Sequence, residues 1–177
     1  MKKLITITIL LLTASTAFAG NKWENKVRVD NFSGEKIDYV VGQSINKIRG
    51  WLHSNFVLIS IVCSEKAIHI KVPDVGLNVD KIECHRSCED FQYSRISFDD
   101  SPLQNLYFHV DDIDNNHMLR LDKKYGNHIS NEEIINGMKA GTKMYLEITP
   151  FNVEDQRQVA EFDLRDFTYA LNRCKAQ

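Results

Sequence analysis

Two cysteines four positions apart, with a histidine between them, are the residues of this chain best spaced to do chemistry together. The stretch IECHRSCEDF, residues 82–91, contains Cys84, His85 and Cys88. Such a group could bind zinc, exchange a disulfide or form a structural disulfide, because all three use the same side chains. Composition does not separate these possibilities, so the compartment of the protein is the first criterion.

The first 20 residues, MKKLITITILLLTASTAFAG, have the three parts of a secretory signal peptide. A charged start is followed by an apolar core over residues 4–13 and by the small-x-small motif AFA. This core is about half the roughly 20 residues that a transmembrane helix needs, which argues against a membrane anchor. We predict a leader over residues 1–19, cleaved after Ala19, and a single β-rich exported domain over residues 20–177, located in the periplasm.

The four cysteines all lie in the mature chain, and an even number in an exported protein predicts two disulfides. A zinc site would call for a second closely spaced pair of ligands, and thioredoxin-like chemistry for two intervening residues instead of three, so both are the less favoured alternatives. Cys84 and Cys88 are close enough in sequence to form a local bridge, which would leave Cys63 to pair with Cys174. The rival pairing joins Cys63 to Cys84 and Cys88 to Cys174.

The charge of the mature chain bears on its partners. Loss of Lys2 and Lys3 with the leader reduces 22 basic residues to 20, against 24 acidic ones, for a formal charge of −4. Nucleic acids and anionic membrane surfaces attract clustered positive charge, so neither is an expected partner.

The string nearest to a nucleophile elbow, around Ser44, lacks the second glycine. We therefore predict no catalytic residue, no metal and no cofactor.

Alternating and β-branched runs indicate a β-rich fold. The most distinct runs, 57–63 and 67–72, are separated by three polar residues and predict a hairpin whose first strand is buried on both faces. Further strands are predicted at 26–29, 38–41, 91–98, 106–110, 117–121, 143–148 and 159–164. The pattern favours a mainly β (α+β) fold: an antiparallel β-sandwich or barrel with one short helix and a C-terminal helix, stapled by disulfides.

Two segments have helical signals. Ser130 followed three residues later by Glu133 is a capping box, and Gly141 is a plausible end for that helix. Apolar residues recur at spacings of three and four over residues 166–174, which predicts a C-terminal helix with one buried face. We expect that helix to lie on the sheet and to be held there by Cys174.

An aspartate-rich segment and a tryptophan are the candidate partner contacts. Asp112, Asp114 and Asn116 match the first ligand positions of a calcium loop, but the later glycine and glutamate are missing, which favours a turn between two strands. Asp111, Asp112 and Asp114 could then bind a partner as acidic loop residues. Trp51 lies beside basic residues and is either a core residue or an exposed anchor for a partner.

Several stretches occur in an order that resembles a known family. They are ISIVC, AIHIKV, YSRISFDD, LRLD, GTKMYLEITP and AEFDLRDFTYALNRC, spread over residues 55–174. This order resembles the VasI-like periplasmic proteins associated with type VI secretion and related small exported β-domains of phage and bacterial origin. Cys84 and Cys88 have no counterpart in that pattern. The resemblance implies a periplasmic accessory or binding domain without enzymatic activity.

Three functions follow as expectations. The first is a non-enzymatic, protein-binding accessory factor of an envelope or secretion system. The second is an exported inhibitor, immunity or exclusion protein that blocks an effector enzyme or a receptor. The third is an envelope hydrolase that would use paired carboxylates from Asp99, Asp100 and the Asp111 segment.

Overall fold

The computed structural model describes residues 22–29, 34–49, 54–72, 80–81, 90–113, 116–121, 129–149 and 157–174. Within this part of the chain there are ten strands and two helices. The strands are β1 (Glu24–Val29), β2 (Lys36–Arg49), β3 (Ser54–Val62), β4 (Ile68–Val72), β5 (Asp80–Lys81), β6 (Asp90–Phe98), β7 (Gln104–Ile113), β8 (Asn116–Leu121), β9 (Lys143–Ile148) and β10 (Gln158–Asp163). The helices are α1 (Asn131–Ala140) and α2 (Phe167–Asn172).

The strands form one antiparallel sheet in the order β1-β2-β3-β4-β8-β7-β6-β9-β10, with the short β5 paired to β6. Strand β2 is long and has two halves. Its first half, from Lys36 to Val41, pairs with β1. A bulge between Gln43 and Lys47 interrupts its pairing with β3, and the second half then faces β10. The bulge therefore lets β2 contact both ends of the sheet.

Side-chain amides close the sheet where β2 meets β10. Asn46 Nδ2 donates to the Val159 carbonyl over 2.7 Å, and Asn46 Oδ1 accepts from the Glu161 amide over 2.8 Å. Gln158 does the same in reverse: its Oε1 accepts from the Arg49 amide at 2.5 Å and its Nε2 donates to the Arg49 carbonyl at 2.7 Å. A primary amide carries the same donor and acceptor as a peptide group. These two side chains therefore close the sheet into a barrel.

Helix α1 packs with one face against the core side of the curved sheet. Ile134, Ile135 and Met138 are buried on one helix face and join the core formed by the inward side chains of the strands. About 10 Å³ of space remains where α1 meets β3, β4, β6, β7 and β9, about the volume of one water molecule at most. The contact between α1 and these strands is therefore closely packed.

Trp23, the residue before β1, packs against the first residue of α2. The Trp23 ring meets Phe167 edge-on, with ring centroids 4.8 Å apart, and its Nε1–H donates to the Asp163 carbonyl over 2.7 Å. A Cβ atom at Gly42 would lie 2.5 Å from the Trp23 ring, so glycine is the residue that permits this contact. The aromatic pair thus holds the start of β1 and the start of α2 against the same end of the barrel.

A disulfide joins Cys63, which follows β3, to Cys174, which follows α2. Their Cα atoms are 5.7 Å apart, and the two residues are 111 positions apart in sequence. This confirms the favoured pairing and contradicts the rival pairing of Cys63 with Cys84. Cys84 and Cys88 lie outside the described residues, and their mutual bridge stays a prediction.

The structure confirms the mainly β, antiparallel architecture and both helices. The predicted capping box is present: Ser130 Oγ accepts from the Glu133 amide at 3.2 Å, and the Glu133 carboxylate accepts from the Ser130 amide at 2.7 Å. The hydrogen bonds that the Glu133 carboxylate accepts from the Ser130 amide and the Ser130 hydroxyl lower the pKa of Glu133 from its ordinary value. Helix α1 ends at Ala140, directly before the predicted stop at Gly141.

Three expectations about the strands are wrong in detail. β3 alternates between buried and half-buried residues, because its outer face is partly open to solvent in the barrel. β2 continues to Arg49, past the predicted end at residue 41, because the bulge and the seam with β10 satisfy its polar residues. Asp111 and Asp112 belong to β7 and not to a loop, because the β7–β8 pairing continues to Ile113.

Candidate functional site: a tyrosine and arginine surface

Two polar residues that the sequence analysis considered for catalysis, Ser44 and Asp99, form hydrogen bonds with backbone groups. Ser44 is fully buried in the β2 bulge, where its hydroxyl donates to the Asn46 carbonyl at 2.6 Å and accepts from the Val57 amide at 3.0 Å. Asp99 accepts hydrogen bonds from the Thr142 amide, the Thr142 hydroxyl and the Lys143 amide, at 2.7 to 3.1 Å. These bonds lower the pKa of Asp99 from its ordinary value of 3.8.

The predicted partner contacts are only partly placed by the structure. Asp111 and Asp112 pair through their backbone with Met118 and His117 of β8, and their side chains lie outside the description. Asp114 and Trp51 also fall outside the described residues. Their role in partner binding stays a prediction.

A different surface lies on the outside of the barrel. On β6, Ser94 and Ile96 are buried, so Tyr93 and Arg95 point outward. The outward residues of the neighbouring strands continue this surface. We call it the Tyr–Arg face, and it consists of Tyr93, Arg95, Tyr107, Tyr145, Glu147 and Arg157.

A carboxylate at the centre of the Tyr–Arg face holds both of its arginines. Arg95 and Glu147 lie opposite each other on β6 and β9. Arg95 Nε lies 3.0 and 3.1 Å from the two carboxylate oxygens, and one of its terminal nitrogens lies 2.5 Å from Oε2. Arg157 NH1 approaches Oε1 at 3.3 Å. Glu147 is 9% exposed, and this hydrogen bonding raises the pKa of Arg95 above its ordinary value.

Tyrosine rings border the arginines. Tyr93 and Tyr107 lie opposite each other on β6 and β7, and their rings meet edge-on with centroids 5.4 Å apart. The guanidinium carbon of Arg157 lies 5.8 Å from the centre of the Tyr93 ring. The Tyr93 hydroxyl donates to Asn105 Oδ1 at 2.6 Å, which fixes the direction of the ring. The two tyrosines, the two arginines and Glu147 therefore already hold one another in position.

The two neighbouring carboxylates on β10, Glu161 and Asp163, form ion pairs with cations outside the Tyr–Arg face. Lys143 lies 2.6 Å from Glu161, and this contact raises the pKa of Lys143. Arg165 pairs with Asp163 and lowers the pKa of that carboxyl group. The two guanidinium groups of the Tyr–Arg face share the single carboxylate of Glu147, so that group of three carries one net positive charge.

The arrangement is suited to binding. Tyrosine and arginine dominate the energetically important positions of protein interfaces, since they bury large area and form directed hydrogen bonds. Sequence alternation in QYSRIS and KMYLEI placed tyrosine and charged residues on one face of their strands, but it did not show that these strands would be neighbours. Sequence reasoning therefore missed this surface.

No helix in the described part of the chain has the length and apolarity to cross a membrane. Among the same residues, no three His, Cys, Asp or Glu side chains are grouped as metal ligands would be. Comparison with protein-family models, curated proteins and solved structures gives no match to this chain.

Proposed function

We propose that this chain is a non-enzymatic, exported domain that binds another protein of the periplasm or envelope through its Tyr–Arg face. The observation that carries the proposal is the preassembled group of two tyrosines and two arginines around Glu147 on the outside of the barrel. A partner that docks there finds side chains whose rotamers are already restricted, so less conformational entropy is lost on binding. The leader-like N-terminus and the Cys63–Cys174 disulfide support an oxidising compartment.

The proposed role is that of an accessory factor in an envelope or secretion system. It is supported by the resemblance to VasI-like periplasmic proteins and by the Tyr–Arg face, whose residue types are suited to binding a protein. An inhibitor, immunity or exclusion protein would use the same surface to block an effector or receptor, and the identity of the partner separates these roles.

The hydrolase alternative gains no support from Asp99. A general acid needs a raised pKa, whereas the hydrogen bonds from Thr142 and Lys143 lower that of Asp99. The Asp99 carboxylate is also occupied by the loop that connects α1 to β9.

The test is a pull-down with the oxidised mature protein, residues 20–177, from periplasmic extract of its native host. Tyr93→Ser/Tyr107→Ser is compared with Tyr169→Ser. Tyr169 is a matched control because it is 67% exposed on α2 and also lies against an arginine, 5.6 Å from Arg173. We expect wild type and the control to capture one protein stoichiometrically, and the double variant to capture at least about tenfold less.

Three further measurements make the result decisive. Circular dichroism and thermal melting check that each variant is folded, and Tyr107→Ser alone replaces the double variant if that protein unfolds. Repetition after disulfide reduction tests whether the bridged fold is required. Absence of a partner in the wild-type experiment, or equal capture by the face variants, would overturn the proposal.

A further inference from the structure

We propose that Arg95 and Arg157 form a receptor for a carboxylate side chain, an aspartate or glutamate, on the surface of the protein partner. This inference rests on the proposed function and names the chemistry of the partner at the centre of the Tyr–Arg face. Its basis is a pair of guanidinium groups held by one nearly buried carboxylate.

The first step is the orientation of the arginines. Glu147 receives two nitrogens of Arg95 and one terminal nitrogen of Arg157. Each guanidinium has five N–H donors in a fixed plane. The Arg157 side chain is 49% exposed and the Arg95 side chain 30%, so neither side chain is fully covered by the protein. Glu147 therefore positions two cations without using all of their donors.

The second step is the charge. Two cations on one carboxylate leave a surplus of one positive charge, and Glu161 and Asp163 are engaged by Lys143 and Arg165. An incoming carboxylate would make the group neutral. A neutral or positive contact on the partner would leave that surplus charge partly desolvated, which is unfavourable.

The third step is the surroundings of the arginines. Tyr93 lies beneath Arg157, Tyr107 lies beside Tyr93, and Val159 is 45% exposed opposite Glu147 on β10. Apolar groups next to the ion pair would exclude water once a partner covers them. Charge-assisted hydrogen bonds are stronger where water is excluded, and a planar carboxylate matches the guanidinium geometry.

The test uses ¹⁵N-labelled, oxidised mature protein and follows the arginine Nε–H signals by nuclear magnetic resonance. The probe is a blocked tetrapeptide containing tyrosine and glutamate, with the glutamine peptide as its neutral match. We expect the signals of Arg95 and Arg157 to shift, with an affinity about tenfold higher for the glutamate peptide. Arg157→Gln should abolish that preference.

The matched control variant is Arg165→Gln. Arg165 is also an exposed arginine paired with a carboxylate, but it lies outside the Tyr–Arg face, so its loss should leave the preference intact. Equal binding of the two peptides, or a preference that survives Arg157→Gln, would overturn the carboxylate receptor. Because the pull-down depends on the tyrosines, it can still succeed in that case, which separates the two proposals.

Two competing occupants are tested with the same signals. Inorganic phosphate shifting Arg95 and Arg157 at the same concentration as the glutamate peptide would indicate a general anion site and overturn the proposal. Glu154 and Asp155 precede Arg157 in sequence, outside the described residues. If Glu154→Gln/Asp155→Asn moves the arginine signals as strongly as the peptide does, the occupant is the chain itself and the proposal fails.

Discussion

Single polar side chains in this protein satisfy backbone groups at points where the regular sheet is interrupted. Ser44 does so in the β2 bulge, where no regular pairing with β3 is available. Asp99 does so at the turn after β6, where its own φ of +47° lies in the left-handed region. An aspartate tolerates that region better than most residues. Residues that could be read as nucleophile or acid are therefore explained by local structure.

The charge of Asp99 should make the stability of the protein depend on pH. Its folded-state pKa is lowered, so it contributes stability above its ordinary pKa of 3.8, and that contribution is lost as the pH falls through the folded value. Asp99→Asn keeps the side-chain shape and the tolerance for positive φ but removes the charge. We expect a lower melting temperature at neutral pH and a flatter decline below about pH 4.

Melting temperatures measured from pH 7 to pH 2 check this expectation. Asp100→Asn, at the exposed adjacent position, controls for the loss of one negative charge. A variant whose pH profile coincides with that of wild type would show that the Thr142 and Lys143 hydrogen bonds do not favour the charged form of Asp99.

Strand β2 decides the shape of the sheet. Its first half pairs with β1 and its second half faces β10, so one strand joins the two ends of the sheet order. Asn46 and Gln158 supply through their side chains the hydrogen bonds that a backbone ladder would otherwise supply. The closure of the sheet between β2 and β10 therefore depends on the side-chain amides of Asn46 and Gln158.

Asn46→Ala should loosen this seam. The variant loses an acceptor for the Glu161 amide and a donor to the Val159 carbonyl, and water can replace both because Asn46 is exposed. We expect the free energy of unfolding to fall by about 1 kcal/mol and the Glu161 amide to exchange faster with solvent. Chemical denaturation and hydrogen exchange measure the two effects.

Ile45→Ala is the control at the adjacent exposed position, since the Ile45 side chain lies outside the core cluster. Unchanged exchange at Glu161 in Asn46→Ala would mean that the seam is held by packing and not by the amide.

At the scale of the whole molecule, the Cys63–Cys174 disulfide fixes the C-terminal helix to the sheet. It connects the end of β3 to the residue after α2, and the chain between them contains most of the barrel. The contact between Trp23 and Phe167, the first residue of this helix, also holds the helix against the sheet. The Tyr–Arg face lies on β6, β7 and β9 and at Arg157, the residue before β10, within the loop that the disulfide closes.

Cys63→Ser/Cys174→Ser should reduce the free energy of unfolding by about 4 to 5 kcal/mol in the chain-entropy model, because the closed loop exceeds 100 residues. Cys84→Ser/Cys88→Ser should cost less, since the predicted local bridge would close only a short loop. Denaturation of both variants, with peptide mapping of the oxidised protein, checks the order. A Cys63–Cys84 peptide would contradict the pairing found in the structure.

Much of the local structure could be read from the residues before any tertiary contact was known. The run at residues 67–72 predicted the strand that is β4, and Ser130 with Glu133 predicted the start of α1. These succeed because strand periodicity and helix capping are set by residues within a few positions of one another. The second half of β2 was missed because Asn46 is satisfied by residues more than 110 positions away.

The sequence by itself determined the antiparallel β class, the two helices and a set of four cysteines in which Cys63–Cys174 was the favoured long-range bridge. Only the tertiary structure decided which polar residues meet. Alternation assigns a residue to one face of its strand, whereas cross-strand register and strand order assign its neighbours. Arg95 and Glu147 are 52 positions apart, and they share a site because β9 pairs with β6.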